Sequence, residues 1–168
     1  MLNSVIVTRA MLIADNACDP AMEAFDEALE AFDEAFPNGS ATLQQIVEHP
    51  LCDPEWLGWI AVNASFITAD IGMELIQRSD DPGHYYGEAA VRADWVTAET
   101  GQRLIMLSDD PHFTFGRAAA FADWVTAEIG PGMIWKSSEP RHFAQLAILL
   151  ADWMTPEIKA ELIAKYGL

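Results

Sequence analysis

Residues 75–103 read LIQRSDDPGHYYGEAAVRADWVTAETGQR, and residues 104–132, which follow directly, read LIMLSDDPHFTFGRAAAFADWVTAEIGPG. These two segments are identical at 17 of 29 positions without a gap. Residues 133–161 continue the same register, and residues 46–74 carry a weaker copy of it. A repeat of this length indicates an array of small structural units that bury their apolar faces against one another.

Each unit carries start signals for two short helices. Asp81-Pro82 and Asp110-Pro111 place an N-cap residue before a proline at the first helical position. A second helix is expected to start at the threonine of each unit (Thr97, Thr126, Thr155). These second helices are expected to end near the serine that precedes the next unit's first helix (Ser79, Ser108, Ser137). The alternation that marks a strand is missing throughout. One unit is therefore predicted to be a pair of antiparallel helices.

Stacking of these helix pairs predicts the fold. Trp124 is expected to wedge between successive layers, and the interior of one layer is expected to contain Leu104, Ile105, Leu107, Ala118, Ala119, Phe121 and Ala122. The sequence predicts an all-α fold, a short α-solenoid of about four and a half two-helix repeats of the HEAT or armadillo type. We expect a single domain over residues 1–168, with a divergent acidic unit at 1–45 and regular repeats at 46–168.

A family resemblance rests on the second helix start of each unit. Ala122-Asp123-Trp124-Val125-Thr126-Ala127-Glu128 and Ala151-Asp152-Trp153-Met154-Thr155-Pro156-Glu157 resemble the helix starts of bacterial leucine-rich-repeat-variant and HEAT-like repeat proteins. The likeness covers residues 46–168, although the period differs from that of either group. It implies a superhelical scaffold that binds proteins or other macromolecules, and it brings no catalytic residues.

Composition excludes several classes of function. The chain has 26 acidic and nine basic residues, a formal net charge of −17, and 51% apolar residues. Direct binding to nucleic acid or to an anionic membrane is not expected, because both depend on clustered Lys and Arg. No segment has the composition of a signal peptide or a transmembrane helix, so we expect a soluble, cytoplasmic protein.

The negative charge is concentrated in the first half. Residues 10–77 contain thirteen acidic residues and no Lys or Arg. Within the densest segment, 22–36, an apolar stripe formed by Phe25, Leu29, Phe32 and Phe36 is expected to be buried. The opposite side carries Glu23, Asp26, Glu27, Glu30, Asp33 and Glu34. Two interpretations stay open: a solvated face that serves solubility, or a surface offered to a basic partner.

Two rows of acidic residues recur once per repeat. Asp53, Asp81, Asp110 and Glu139 are explained as helix caps. Asp94, Asp123 and Asp152 form the second row, and we favour the interpretation that their side chains close the first helix of each unit by accepting backbone N–H groups. The alternative is a ladder of carboxylates that faces a regularly charged partner.

No pattern points to catalysis, a metal or a cofactor. His84 and His142 share a repeat position, but Phe113 takes that position in the unit between them. Cys18 and Cys52 are expected to serve as small apolar residues. Motifs for nucleophilic hydrolysis, zinc peptidases, phosphate loops and dinucleotide binding are absent. We therefore expect a protein that is not an enzyme and uses no cofactor.

These observations favour a module that binds and blocks a basic protein surface. Its carboxylates would stand in for phosphates if the partner normally binds nucleic acid, as a restriction, CRISPR or toxin nuclease does. Glu23, Asp26, Glu27, Glu30, Asp33 and Glu34 are the expected contacts, together with the row at Asp94, Asp123 and Asp152. The alternative is a structural α-solenoid adaptor whose charge serves only solubility.

Overall fold

The computed structural model describes residues 2–15 and 30–168. Helices dominate the described residues, which confirms the all-α fold class. The chain divides into two compact units, Met1–Asp81 and Pro82–Leu168.

The first unit begins with short elements and continues with helices. A 3₁₀ turn at Leu2–Ser4 precedes strand β1 (Ile6–Thr8) and helix α1 (Arg9–Asp15), and residues 30–35 are also helical. Strand β2 (Ser40–Thr42) follows, and then helices α2 (Leu43–Glu48), α3 (Pro54–Asn63) and α4 (Ala69–Arg78). Helices α3 and α4 pack against each other, and their buried positions include Leu57, Ile60, Ile71, Leu75 and Ile76.

The strands β1 and β2 contradict the expectation that the chain has no strand. They pair in antiparallel register, with Val7 opposite Ala41 and Thr8 opposite Ser40. Val7 is completely buried. The β-branched run at residues 5–8 favours an extended backbone. Gly39, just before β2, takes a left-handed φ of 68° that a side chain would disfavour.

The second unit consists of three pairs of helices. The first pair is α5 (Pro82–Arg92) and α6 (Ala98–Leu107), the second is α7 (Pro111–Phe121) and α8 (Gly130–Lys136), and the third is α9 (Pro140–Leu150) and α10 (Pro156–Tyr166). Helix α7 contacts both α5 and α9, so the first helices of successive repeats lie side by side.

Most of the helix boundaries follow the capping residues. The Asp110 carboxylate accepts the backbone N–H of Phe113 at 2.9 Å, and the Thr155 hydroxyl accepts that of Ile158 at 3.3 Å. Glu139, which was expected to be a cap, accepts no such bond. The serines at the ends of α4, α6 and α8 are buried, and each donates its hydroxyl to a carbonyl three residues earlier (Ser79, Ser108, Ser137). Their predicted role at the helix ends is confirmed.

Helix α8 starts later than expected. Thr126 was predicted to begin this helix, but residues 127–129 form turns and the helix begins at Gly130. Pro131 explains the difference because it has no N–H to donate to the carbonyl of residue 127. Helix α8, the second helix of the middle repeat, is therefore shorter than the corresponding helices α6 and α10.

Two tryptophans join consecutive repeats. The indole N–H of Trp124 donates to the carbonyl oxygen of Ala90 at 2.7 Å, and Trp153 makes the same bond to Ala119 at 2.8 Å. The rings lie against Gly101 and Gly130, where any side chain would collide with them. The predicted wedge at Trp124 is confirmed, and the same contact recurs one repeat later.

The interior of the middle repeat agrees with prediction at most positions. Leu104, Ile105, Ala118, Ala119 and Ala122 are buried. Leu107 and Phe121 were wrongly predicted to be buried, since they are 44% and 49% exposed. Both residues end a helix, at a place where no other part of the unit covers them.

Candidate partner-binding site

The turns between the two helices of each repeat in the second unit share one backbone conformation. In each turn a backbone N–H donates to the carbonyl three residues earlier: Val96 to Ala93 at 3.1 Å, Val125 to Ala122 at 3.2 Å, and Met154 to Ala151 at 3.2 Å. An aspartate follows the acceptor residue in every turn (Asp94, Asp123, Asp152). We call these three residues the acidic turn row.

The side chains of the acidic turn row are exposed. Within residues 2–15 and 30–168, their carboxylates take part in no hydrogen bond or ion pair. The favoured interpretation, that they close the preceding helix, is therefore wrong. In each turn a backbone carbonyl already accepts the N–H of the residue two positions after the aspartate (Val96, Val125, Met154), and the aspartate side chains are exposed to solvent.

A tryptophan follows each aspartate of the row, and the contacts of Trp124 and Trp153 fix the positions of Asp123 and Asp152. Trp124 and Trp153 contact the preceding repeat in the same way, so Asp123 and Asp152 have equivalent surroundings. Neighbouring packed helices lie about 8–10 Å apart. The row thus presents one carboxylate about every 10 Å, and the indole rings of Trp124 and Trp153 hold two of its turns in place.

A second set of carboxylates accompanies the row and was not singled out as a candidate site. Glu99, Glu128 and Glu157 lie five residues after the three aspartates and are exposed. Hydrogen bonds from the Glu157 backbone N–H and the Thr155 hydroxyl hold the pKa of Glu157 below its usual range. The recurrence of these glutamates at 29-residue intervals could have identified them, but their role at helix starts explained them equally well.

The acidic residues of the N-terminal segment are described in part. Glu23, Asp26 and Glu27 lie outside the described residues. Glu30, Asp33 and Glu34 are exposed within the helical residues 30–35. Asp33 is bonded to the Arg9 guanidinium, with 2.9 Å between Nε and Oδ2.

The predicted apolar stripe of this segment is confirmed where it is described. Phe32 is buried and Phe36 is half-buried, with 5.2 Å between their ring centroids. Phe25 and Leu29 lie outside the described residues. The two faces of residues 30–36 therefore separate into apolar and acidic sides as the spacing predicts.

One cation-containing cluster lies between α5 and α7. Glu88 bonds to Arg117, which is 29 residues away at the equivalent repeat position, and to Arg92 at 3.0 Å. Burial raises the pKa of Glu88, but the Arg117 hydrogen bond and the charges of Arg117, Arg92 and His84 outweigh it and lower the pKa below its usual value. The Glu88 carboxylate is therefore engaged in ion pairs, unlike the carboxylates of the acidic turn row.

The remaining candidate residues lie apart from one another. His84 and His142 are exposed on different helices, and His112 Nδ1 lies 2.7 Å from the carbonyl oxygen of Lys136. Burial and the neighbouring Asp53 raise the pKa of the Cys52 thiol to about 11. Among the residues that the structure describes, no group of His, Cys, Asp and Glu side chains is arranged to hold a metal ion. Cys18 lies outside them.

Comparisons with protein-family models, with curated proteins and with solved structures find no match for this chain. In the part of the chain that is described, no helix has the length and apolarity needed to cross a membrane.

Proposed function

We propose that this chain is a non-enzymatic, acidic binding module that covers a basic surface on another protein in the cytoplasm. In this proposal residues 46–168 form a short α-solenoid of the HEAT or armadillo type, whose helix starts resemble those of the leucine-rich-repeat-variant proteins. The scaffold holds carboxylates at fixed intervals for a cationic partner. A nuclease or another nucleic-acid-binding protein fits this role, because regularly spaced carboxylates resemble phosphates in charge.

The acidic turn row is the observation that supports this proposal. Its three aspartates are exposed, occupy the same repeat position, and make no hydrogen bond or ion pair within the described residues. The Debye length in physiological salt is about 8 Å, so charges about 10 Å apart repel one another only weakly. A Lys or Arg that docks on one of them gains a contact without breaking an existing one.

The proposal has an electrostatic consequence for binding. Association with a basic partner is accelerated by the net charge of −17 and slows as salt is added. Each exposed ion pair contributes about 0.2–1 kcal/mol, so the three carboxylates of the row together change affinity about tenfold. In the first unit, Glu30, Asp33 and Glu34 are exposed carboxylates of the same kind, and Glu23, Asp26 and Glu27 remain proposed contacts that lie outside the described residues.

The test is a charge-neutral triple variant. Asp94→Asn, Asp123→Asn and Asp152→Asn are combined, and binding of a fluorescein-labelled lysine oligomer is measured by anisotropy over a series of NaCl concentrations. The matched control combines Glu55→Gln, Glu139→Gln and Glu161→Gln, which are exposed and remove the same charge elsewhere.

The row variant is expected to lose about tenfold in affinity and the control much less. Equal losses in the two variants would show that only net charge matters and would remove the row from the proposal. An affinity that persists at about 1 M NaCl, where the Debye length is about 3 Å, supports the alternative of a structural adaptor whose charge serves solubility.

A further inference from the structure

The first helices of the second unit share an outward face. On each helix this face contains every fourth residue, and equivalent residues of neighbouring helices lie side by side, as the Glu88–Arg117 bond demonstrates. Residues four apart occupy the same side of a helix. The face contains Glu88 and Arg92 on α5, Arg117 and Phe121 on α7, and Leu146 and Leu150 on α9.

The end of this face nearest the turns is apolar in two repeats. Phe121 ends α7 and is 49% exposed, and Leu150 ends α9 and is 54% exposed. We call these two residues the apolar pair. Leu149 lies beside Leu150 and is 77% exposed. Large apolar side chains grouped at one exposed place are typical of surfaces that meet another molecule.

The acidic turn row borders the apolar pair. Asp123 follows Phe121 by two residues, and Asp152 follows Leu150 by two residues. Each of these repeats therefore presents one apolar side chain and one uncompensated carboxylate at the same end of the helix pair. A ligand that satisfies both must carry apolar groups beside positive charges.

The part of the face formed by α5 and the middle of α7 carries positive charge instead. Arg92 and Arg117 both bond to Glu88, so this part of the face has an excess of one positive charge. It disfavours a Lys or Arg of a partner. Because Arg92 occupies on α5 the position that Phe121 and Leu150 occupy on α7 and α9, a basic partner is directed to α7 and α9.

We propose that the apolar pair and the acidic turn row together bind a basic amphipathic α-helix of a partner protein. This inference rests on the proposed function and specifies the partner class. Neighbouring helices lie about 8–10 Å apart, and seven residues of an α-helix span about 10.5 Å. A partner helix that crosses α7 and α9 therefore places residues i and i+7 over Phe121 and Leu150, with Lys or Arg beside them for Asp123 and Asp152.

A second copy of this chain is a poorer occupant of the same face. Its own copy of the acidic turn row would approach the row already present, and like charges repel. A neutral apolar segment would leave Asp123 and Asp152 partly desolvated without a partner. The basic amphipathic helix satisfies both requirements.

The test compares two synthetic peptides of identical composition. The first places Leu at i, i+3 and i+7 on one face of a helix and Lys on its flanks, and the second distributes the same residues without segregation. Binding is measured by fluorescence anisotropy at low salt with the full chain. The segregated peptide is expected to bind about tenfold more tightly, because only it buries Leu against the apolar pair.

Variants of the full chain identify the surface. Phe121→Ser combined with Leu150→Ser is expected to remove the difference between the peptides and to leave the affinity for the scrambled one unchanged. Met106→Ser is the control, since Met106 is 65% exposed on a second helix, α6. Circular dichroism verifies that each variant is folded.

The possible outcomes separate the two proposals. Equal affinity for both peptides, with loss in the row variant, overturns the amphipathic helix and leaves the proposed function intact. Absence of binding by either peptide overturns both. Concentration-dependent dimerisation that the Phe121 and Leu150 substitutions abolish would assign the face to a second copy and also overturn this inference.

Discussion

Gly116 provides a direct test of how consecutive repeats pack. It lies in α7 beneath the ring of Phe143, a residue of α9 that is 2% exposed. A Cβ at Gly116 would lie closer than 3.0 Å to this ring, which real Cβ atoms essentially never do. Gly132 in α8 offers the matched control, since a Cβ there would meet nothing within 4 Å.

The two glycine substitutions are expected to act in opposite directions. Replacement of Gly by Ala inside a helix favours the helix by about 1 kcal/mol. At Gly116 the extra methyl group overpacks a buried ring, which costs about 3 kcal/mol. Gly116→Ala is therefore expected to lower the free energy of unfolding by about 2 kcal/mol, or the melting temperature by about 4–8 °C. Gly132→Ala is expected to raise the free energy of unfolding by about 0.5–1 kcal/mol.

Urea denaturation followed by far-UV circular dichroism measures both effects as shifts of the midpoint at constant slope. A double-mutant cycle with Phe143→Leu isolates the contact, because the smaller side chain vacates the space over residue 116. In that background Gly116→Ala is expected to become neutral or stabilising. If Gly116→Ala stabilises the wild-type chain as Gly132→Ala does, the Phe143 ring of α9 does not pack on Gly116 of α7.

Two titratable groups give further expectations. Glu88→Gln removes the bond to Arg117 and is expected to cost about 1 kcal/mol at neutral pH. Because the pKa of Glu88 is lowered in the folded chain, its contribution exists above the unfolded value near 4.5 and is lost as pH falls through the lower folded pKa. Urea midpoints of variant and wild type should thus converge in acid, and a constant difference would contradict this. Burial and Asp53 raise the pKa of Cys52 from 9.0 to about 11, so it should react with iodoacetamide at pH 8 about 100-fold more slowly in the folded chain than in urea. The measurement uses a Cys18→Ser variant, and equal rates would contradict the burial of Cys52.

The sequence predicts most of the local structure of the second unit. Helix caps and helix ends depend on residues a few positions apart, and the repeat shows the same local signals several times. Examples are the caps Asp110 and Thr155 and the helix ends at Ser108 and Ser137. The later start of α8 was also readable in principle, because Pro131 cannot donate the required hydrogen bond. Local chemistry therefore defines the helices well.

Contacts between residues far apart in the sequence were harder to predict. The pairing of Arg9 with Asp33 and of β1 with β2 joins segments separated by more than twenty residues that carry no repeat signal. The repeat pattern predicted that the apolar residue Phe121 is buried, but it could not show that no other part of the second unit covers this side chain. For the same reason a pattern of aspartates could not distinguish a side chain that closes a turn from one that faces solvent.

The tryptophan–glycine contact has a consequence for the evolution of the chain. Trp124 meets Gly101 and the Ala90 carbonyl, and Trp153 meets Gly130 and the Ala119 carbonyl, at identical separations along the sequence. Unequal recombination that deletes the 29 codons for residues 104–132 would bring Trp153 to Gly101 and Ala90 with the same geometry. A gene segment of this length can thus be lost or duplicated while the contact between neighbouring repeats is restored. One such event changes the number of exposed aspartates in the row by one.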